Sequence, residues 1–289
     1  MRTHQIPQEL LANTAANPTS DHIYICSYQS AVGSVKSRIV LSHHLFNFLL
    51  AGEKSVYYAG GRAIIDPSRF VLLSSGNCLM SEKTAAQDGP YKSILLFFDN
   101  QTLSDFFLKH PGIIKASCNE WQEMPVFVFE KDSFLVNFIH SLSLLLSSGQ
   151  EPAREMQLLK FEEVMLYLCS KYPSQVLALR TSLLVADEDA EIRKAVESNI
   201  ENNITVEELA FLCNISVSTF KRRFGRIYGT SPNKWMLQKR MERAAALLQS
   251  GATKASDIYY RVGYENLSSF IQSFKQVYGV TPKKYQEQI

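Results

Sequence analysis

Two kinds of hydrophobic pattern divide the chain. From Ile23 to about Asp99, apolar residues come in short runs rich in aromatic and β-branched side chains: IYICSY, SRIVL, HLFNFLLAG, KSVYYAGG, RFVLLSSG and YKSILLFFD. Gly-Gly at 60–61, Asp66-Pro67, Ser-Gly at 75–76 and Gly89-Pro90 separate them. Runs of this length between turn signals predict six or more short strands, hence a small β-barrel or sandwich. Beyond residue 100 the period becomes helical. Helices are expected at 101–110, at Ser133–Ser147 and at 154–172, where Pro173 stops the last one. In that last helix Leu158, Phe161, Met165, Leu168 and Tyr172 alternate spacings of three and four, the seam of a helix that packs on a partner helix. The expectation is a homodimer seam, with Leu159, Val164 and Leu166 turned toward the chain's own strands. Burial of both faces within one chain remains the alternative.

These patterns give an α+β chain in two parts. Residues 1–20 are expected to be a flexible leader, 21–173 a β-rich domain with its following helices, 174–189 a linker ending in Asp187-Glu188-Asp189, and 190–289 an all-α domain. Charge follows the same division. Residues 190–289 hold 15 Lys and Arg against 9 Asp and Glu, a net of +6, while the remainder, 15 against 19, is −4. Only the C-terminal part is suited to a polyanion. No apolar run approaches the roughly 18 residues that span a membrane, and the first residues have no apolar core resembling a signal peptide. A cytoplasmic location is expected. The cysteines (Cys26, Cys78, Cys118, Cys169, Cys213) are dispersed without a CxxC spacing, which suits reduced, buried thiols.

The C-terminal part repeats itself. Phe220-x3-Phe224-x3-Tyr228-Gly229-Thr230-Ser231-Pro232 recurs 50 residues later as Phe270-x3-Phe274-x3-Tyr278-Gly279-Val280-Thr281-Pro282. Upstream, Leu209-Ala210 and Cys213-Asn214-Ile215 correspond to Ile258-Tyr259 and Val262-Gly263-Tyr264 at an offset of 49, so the second turn carries one extra residue. Each unit reads as a short helix, a tight turn and a longer helix. Val206, Leu209 and Ala210 should face inward, and Phe220 and Phe224, at i and i+4, should pin the longer helix to the core. Ser218, Lys221, Arg222 and Gly225 then form its outer face. In the second unit Asn266 is a natural N-cap, and Ser268, Ser269, Ile271, Gln272 and Lys275 lie outside the Phe pair. Pro232–Gln249, rich in helix formers, joins the units and would span about 27 Å. That length could set two recognition helices in successive major grooves about 34 Å apart.

On these residues, 190–289 resembles the DNA-binding domain of AraC-family regulators, with the Tyr-Gly-x-Thr-Pro ending of the second unit as the most specific signature. The N-terminal half resembles, more loosely, the cupin-type β-barrel sensor domain that many of these regulators carry. Tyr259 stands where the family usually has Ala. The resemblance implies a transcription regulator, an activator by expectation, that binds double-stranded promoter DNA and works with RNA polymerase. It implies that Ser218, Lys221, Arg222, Ser268, Ile271 and Gln272 point at base edges. Arg and Lys suit guanine, Gln suits adenine and Ile suits the thymine methyl. Arg223, Arg226, Lys239, Arg243, Asn266 and Lys275 are better placed for phosphates, which supply affinity rather than sequence choice.

The rival class is a cupin-type metal-dependent enzyme with a helical nucleic-acid-binding tail. Cupin metal sites draw two His separated by one residue from one face of a strand. His43 and His44 are adjacent, so on a strand they point to opposite faces. No third ligand is suitably spaced, and no catalytic triad or carboxylate pair is identifiable. No metal, cofactor or catalytic residue is therefore expected. An apolar β-domain could hold a small-molecule effector, with Phe46, Phe48, Tyr57, Tyr58, Phe97 and Phe98 as candidates to line it. Control by a regulatory protein partner is the alternative.

Overall fold

The computed structural model describes residues 3–11, 22–83, 89–114, 126–181, 188–200, 202, 204–249 and 255–288. The chain divides into two compact units, Met1–Ala186 and Asp187–Ile289. Among the described residues, no helix is long and apolar enough to cross a membrane.

The first unit is two five-stranded sheets with a helical layer on one of them. Its strands are β1 (Thr3–Ile6), β2 (Ile23–Ser30), β3 (Ser34–Leu41), β4 (His44–Ala51), β5 (Glu53–Tyr58), β6 (Gly61–Ile65), β7 (Arg69–Leu73), β8 (Gly76–Lys83), β9 (Tyr91–Phe98) and β10 (Val126–Glu130). One sheet runs β1-β3-β8-β5-β6 and the other β10-β7-β4-β9-β2. All pairings are antiparallel except β1 with β3. Among the described residues, no strand of one sheet pairs with a strand of the other, so the expected barrel is corrected to a sandwich. Alternation along a strand reveals which faces are buried, but not which edges find each other.

The second sheet is buried on both faces, which explains its nearly continuous apolar runs. Leu45, Leu49, Val71, Leu95 and Phe97 face the first sheet, where they meet Ile39, Val56 and Met80. Phe46, Phe48, Phe70, Leu96 and Phe98 face the helices α2 (Asn100–Lys109), α3 (Ser133–Ser147), α4 (Arg154–Lys171) and α5 (Pro173–Thr181). Phe138 of α3 sits 5.7 Å from Phe48, and Phe161 of α4 sits 4.7 Å from Phe98. Asp99 and Asp132 cap α2 and α3 by accepting from Thr102 N–H and Leu135 N–H. Fully burying one such Phe contributes about 1.5–3 kcal/mol, so this interface anchors the layer.

Three expectations are corrected here. Within the expected leader, Thr3–Ile6 forms an edge strand along residues 38–41, followed by α1 (Gln8–Leu11); the rest of that segment lies outside the described residues. Within the expected linker, α5 buries Val176, Ala178 and Leu179 in the first unit's core. The dimer seam is also corrected. Phe161, Met165 and Leu168 are buried in this chain's own core, and Leu158 and Tyr172 pack against it. A spacing of three and four marks an apolar face, and here the aromatic side of the second sheet covers that face. Leu159, expected to turn inward, is instead 59% exposed.

The second unit is all helical: α6 (Glu188–Ser198), α7 (Val206–Leu212), α8 (Val217–Tyr228), α9 (Pro232–Gln249), α10 (Ala255–Ile258), α11 (Leu267–Tyr278) and α12 (Pro282–Gln286). Met241, Ala244, Ala245 and Leu248 of α9 form one core with Ile258, Val262, Phe270 and Phe274. Small residues on α9 let the second helix-turn-helix lie close against it.

Candidate nucleic-acid interface

The two repeats fold by the same local devices. In the first, Thr205 and Glu208 form a capping box at the start of α7. The turn passes through Asn214 at φ 54°, with Ile215 N–H donating to Ala210 O at 3.1 Å. In the second, Gly263 takes that place at φ 83°, and Tyr264 N–H donates to Tyr259 O at 3.0 Å. Ser216 then caps α8 by accepting from Thr219 N–H at 3.1 Å, and Asn266 caps α11 by accepting from Ser269 N–H at 2.9 Å. The extra residue of the second turn is Glu265, between the turn closure and the cap. Tyr259 is half-buried with its ring 5.7 Å from Tyr260, whereas the matching Ala210 is buried. Helix α10 stops one residue before Tyr259, while α7 runs past Ala210.

The Tyr-Gly-x-Ser/Thr-Pro endings are a second shared device. Gly229 and Gly279 end α8 and α11 in the left-handed conformation, at φ 67° and 76°. Ser231 and Thr281 accept from the backbone N–H of Lys234 and Lys284, and a Pro follows each at the first helical position, where its missing N–H costs nothing. The aromatic staples repeat too. Tyr228 lies 4.5 Å from Phe224 and 5.1 Å from Trp235; Tyr278 lies 4.7 Å from Phe274 and 5.1 Å from Tyr285.

With the Phe pairs buried, the outer faces are set. Ser218, Lys221 and Arg222 are exposed on α8, and Ser268, Gln272 and Lys275 on α11. Ile271 does not stand clear: it is half-buried against the core that holds Phe270 and Phe274. Several of the nominated residues already have partners within the chain, Arg223 and Arg243 among them. Arg226 pairs with Asp189 at 2.5 Å, Lys239 pairs with Glu242 at 2.8 Å, and the Asn266 carbonyl is spent on its cap. Arg223 and Arg243 are half-buried.

In the first unit, a hollow of about 210 Å³ lies between the sheets, lined by residues of β1 and α1 as well as by the strands. Lys54 is buried in its wall beside Glu82, Nζ to Oε1 3.0 Å. Tyr28 donates to Glu82 at 3.1 Å, and Lys54 donates to Tyr91 at 3.4 Å. Burial opposes the Lys54 charge, but Tyr91 and Glu82 beside it more than offset this and hold its pKa above the ordinary lysine value. Burial, then Glu82, pushes Tyr28 up to about 12. Lys54, Glu82 and Asn47, which also lines this hollow, were not singled out from the sequence. The one available signal was Asn47, a polar residue in the middle of HLFNFLL. Of the aromatics nominated as pocket lining, Phe46, Phe48 and Phe98 face the helices instead.

His43 is partly exposed just before β4, whereas His44, the first residue of β4, is buried and faces the helical layer beside Phe98 rather than the space between the sheets. Among the described residues, no three His, Cys, Asp or Glu gather closely enough to hold a metal ion. Burial pushes the thiols of Cys26, Cys78 and Cys213 up to about 12 and that of Cys169 to about 11, which keeps them protonated at neutral pH. Cys118 lies outside the described residues.

Comparison with known proteins covers both units. Residues 44–179 match the family described as the ExsA N-terminal regulatory domain, and residues 209–288 match the helix-turn-helix domain family. The thermoregulatory protein LcrF of Yersinia pestis is 27% identical over 237 residues, 82% of this chain and 86% of that protein. The HTH-type transcriptional regulator ExsA of Pseudomonas aeruginosa is 23% identical over 239 residues, 82% of this chain and 83% of that protein. The solved structure of ToxT from Vibrio cholerae aligns over 93% of this chain and 99% of that one, at 16% identity and a TM-score of 0.40. Given two helix-turn-helix units built on the same caps and staples, and matches in both halves of the chain, the protein belongs to the AraC family of DNA-binding transcription regulators.

Proposed function

We propose that the protein activates transcription from promoters whose DNA it reads in two successive major grooves, through α8 and α11. The observation that carries this reading is the matched pair of outer faces. Ser218, Lys221 and Arg222 on one helix, and Ser268 and Gln272 on the other, stand exposed opposite buried Phe pairs. Ile271 is assigned only a glancing contact with a thymine methyl. Arg223, Arg243 and Lys275 are assigned to phosphates. Arg226, Lys239 and Asn266 join them, and like Arg223 and Arg243 each exchanges a partner within the chain for DNA. RNA polymerase is the proposed protein partner on the promoter, and the cytoplasm the proposed compartment. LcrF and ExsA, being regulators, support a chain without catalytic activity of its own, and the orientation of His43 and His44 gives the metal-dependent enzyme no support.

The first unit is proposed to receive the signal, either a small-molecule effector or a protein partner, and to hold a homodimer. Because the original seam is core, the dimer contact moves to apolar residues left exposed on α3 and α4: Val136, Leu144, Met156 and Leu159. Selection of bound duplexes from a randomised pool by the full chain tests the DNA reading. The expected product is a site with two elements about 10–10.5 bp apart. A pool without enrichment at moderate salt would overturn it.

A further inference from the structure

Asn47 stands on β4, the middle strand of the second sheet, and its side chain points between the sheets with Leu45 and Leu49. It lines the 210 Å³ hollow and is wholly buried, yet neither its Nδ2 nor its Oδ1 has a hydrogen-bond partner. A buried amide with neither of its groups paired is unfavourable, and in the wall of a hollow it calls for an occupant that satisfies it. The other buried polar groups of the wall satisfy one another: Lys54 with Glu82, Glu82 with Tyr28, and Lys54 with Tyr91. The remainder of the lining sets Ile39, Leu45, Met80 and Leu95 beside the partly exposed His4, Glu9, Ser34 and Ser37, and most of its surface is apolar, which suits a carbon skeleton better than a water cluster.

The chemistry of the occupant follows from what Asn47 lacks. It needs an acceptor for Nδ2 and a donor for Oδ1, side by side. A carboxylate supplies only the acceptor and an ammonium only the donor. Either would also bring an uncompensated charge into the hollow, because Lys54 and Glu82 already neutralise each other. A carboxamide or lactam supplies both groups without charge. We propose that the hollow binds a small, uncharged, largely apolar molecule bearing an amide group, paired donor-to-acceptor with the side chain of Asn47. This rests on reading the first unit as the effector domain.

Thermal unfolding of the full chain with four probes tests it: hexanamide and ε-caprolactam against hexanoate and hexylamine. The two amides should raise Tm saturably, and the two charged probes should not. Asn47→Leu should unfold at or above the wild-type Tm without ligand, since it removes an unsatisfied amide, and should lose the response to both amides. A response to hexanoate or hexylamine equal to that of the amides overturns the proposal. So does an amide response that survives Asn47→Leu, or a flat response to all four. Should the variant not fold, the wild-type series decides alone. DNA selection without any probe is scored separately. Failed selection beside an intact amide response removes the DNA reading only, and intact selection beside a flat probe series removes the ligand only.

Discussion

His44 and Asn100 are joined by a 2.7 Å hydrogen bond from Nε2 to Oδ1, where β4 meets the start of α2. Ser75 N–H donates to the other ring nitrogen at 3.2 Å, so the proton must sit on Nε2 and the ring is neutral. Burial holds the pKa of His44 below its ordinary 6.5, although the bond to Asn100 pulls the other way. The unfolded chain therefore takes up the proton more readily than the folded one. The stability His44 contributes is complete above about pH 6.5 and is lost as the pH falls toward its folded-state value. Wild-type Tm should drop between about pH 7 and about pH 5, and His44→Gln should flatten that drop. Parallel curves for the two proteins would remove His44 as the cause.

The helix-ending glycines allow a clean measurement of backbone strain. A Cβ at Gly229 or Gly279 would meet nothing within 4 Å, so any cost comes from the left-handed φ. Gly229→Ala and Gly279→Ala should each destabilise the second unit by about 1 kcal/mol. Chemical denaturation reads this directly, and an unchanged midpoint would mean that the helix ends relax.

Base reading and phosphate binding should separate. Arg222→Ala should cost about 1–3 kcal/mol on the selected site and relax preference at one position. Lys275→Ala should weaken all sequences alike and reduce the salt slope by about one. Titrations at several salt concentrations on cognate and scrambled duplexes distinguish the two, and an equal loss of specificity from both would contradict the assignment.

Leu168 and Leu159 lie on one helix and should behave in opposite ways. Leu168→Glu puts a charge into a site with no exposure and should cost at least about 4 kcal/mol, enough to unfold the first unit. Leu159→Glu should keep the fold and weaken self-association. Circular dichroism and sedimentation velocity decide both. A folded Leu168→Glu monomer would restore the original seam, and an unchanged Leu159→Glu dimer would place the contact elsewhere.

What the sequence alone settled depends on neighbours within a dozen residues. The Phe pairs at i and i+4, the Asn266 cap and the Tyr-Gly-x-Ser/Thr-Pro endings could be read because helix faces, caps and turns are local. The same holds for the strands of the first unit, whose apolar runs lie close to β2, β4 and β9. Shorter or more polar elements escaped: β1, β6, β8 with its sequence GNCLMSEK, and β10 isolated between helices. Only the tertiary structure decided that the sheets stay open, that Thr3–Ile6 pairs in parallel with β3, and that the α4 stripe meets Phe98 rather than a second chain. It alone also left Asn47 without a partner in a wall where Lys54, Glu82, Tyr28 and Tyr91 satisfy one another. An apolar stripe states that a face must be covered, and a buried polar residue states that it needs a partner. What covers the one and satisfies the other depends on segments distant in the chain, which only the packed fold brings together.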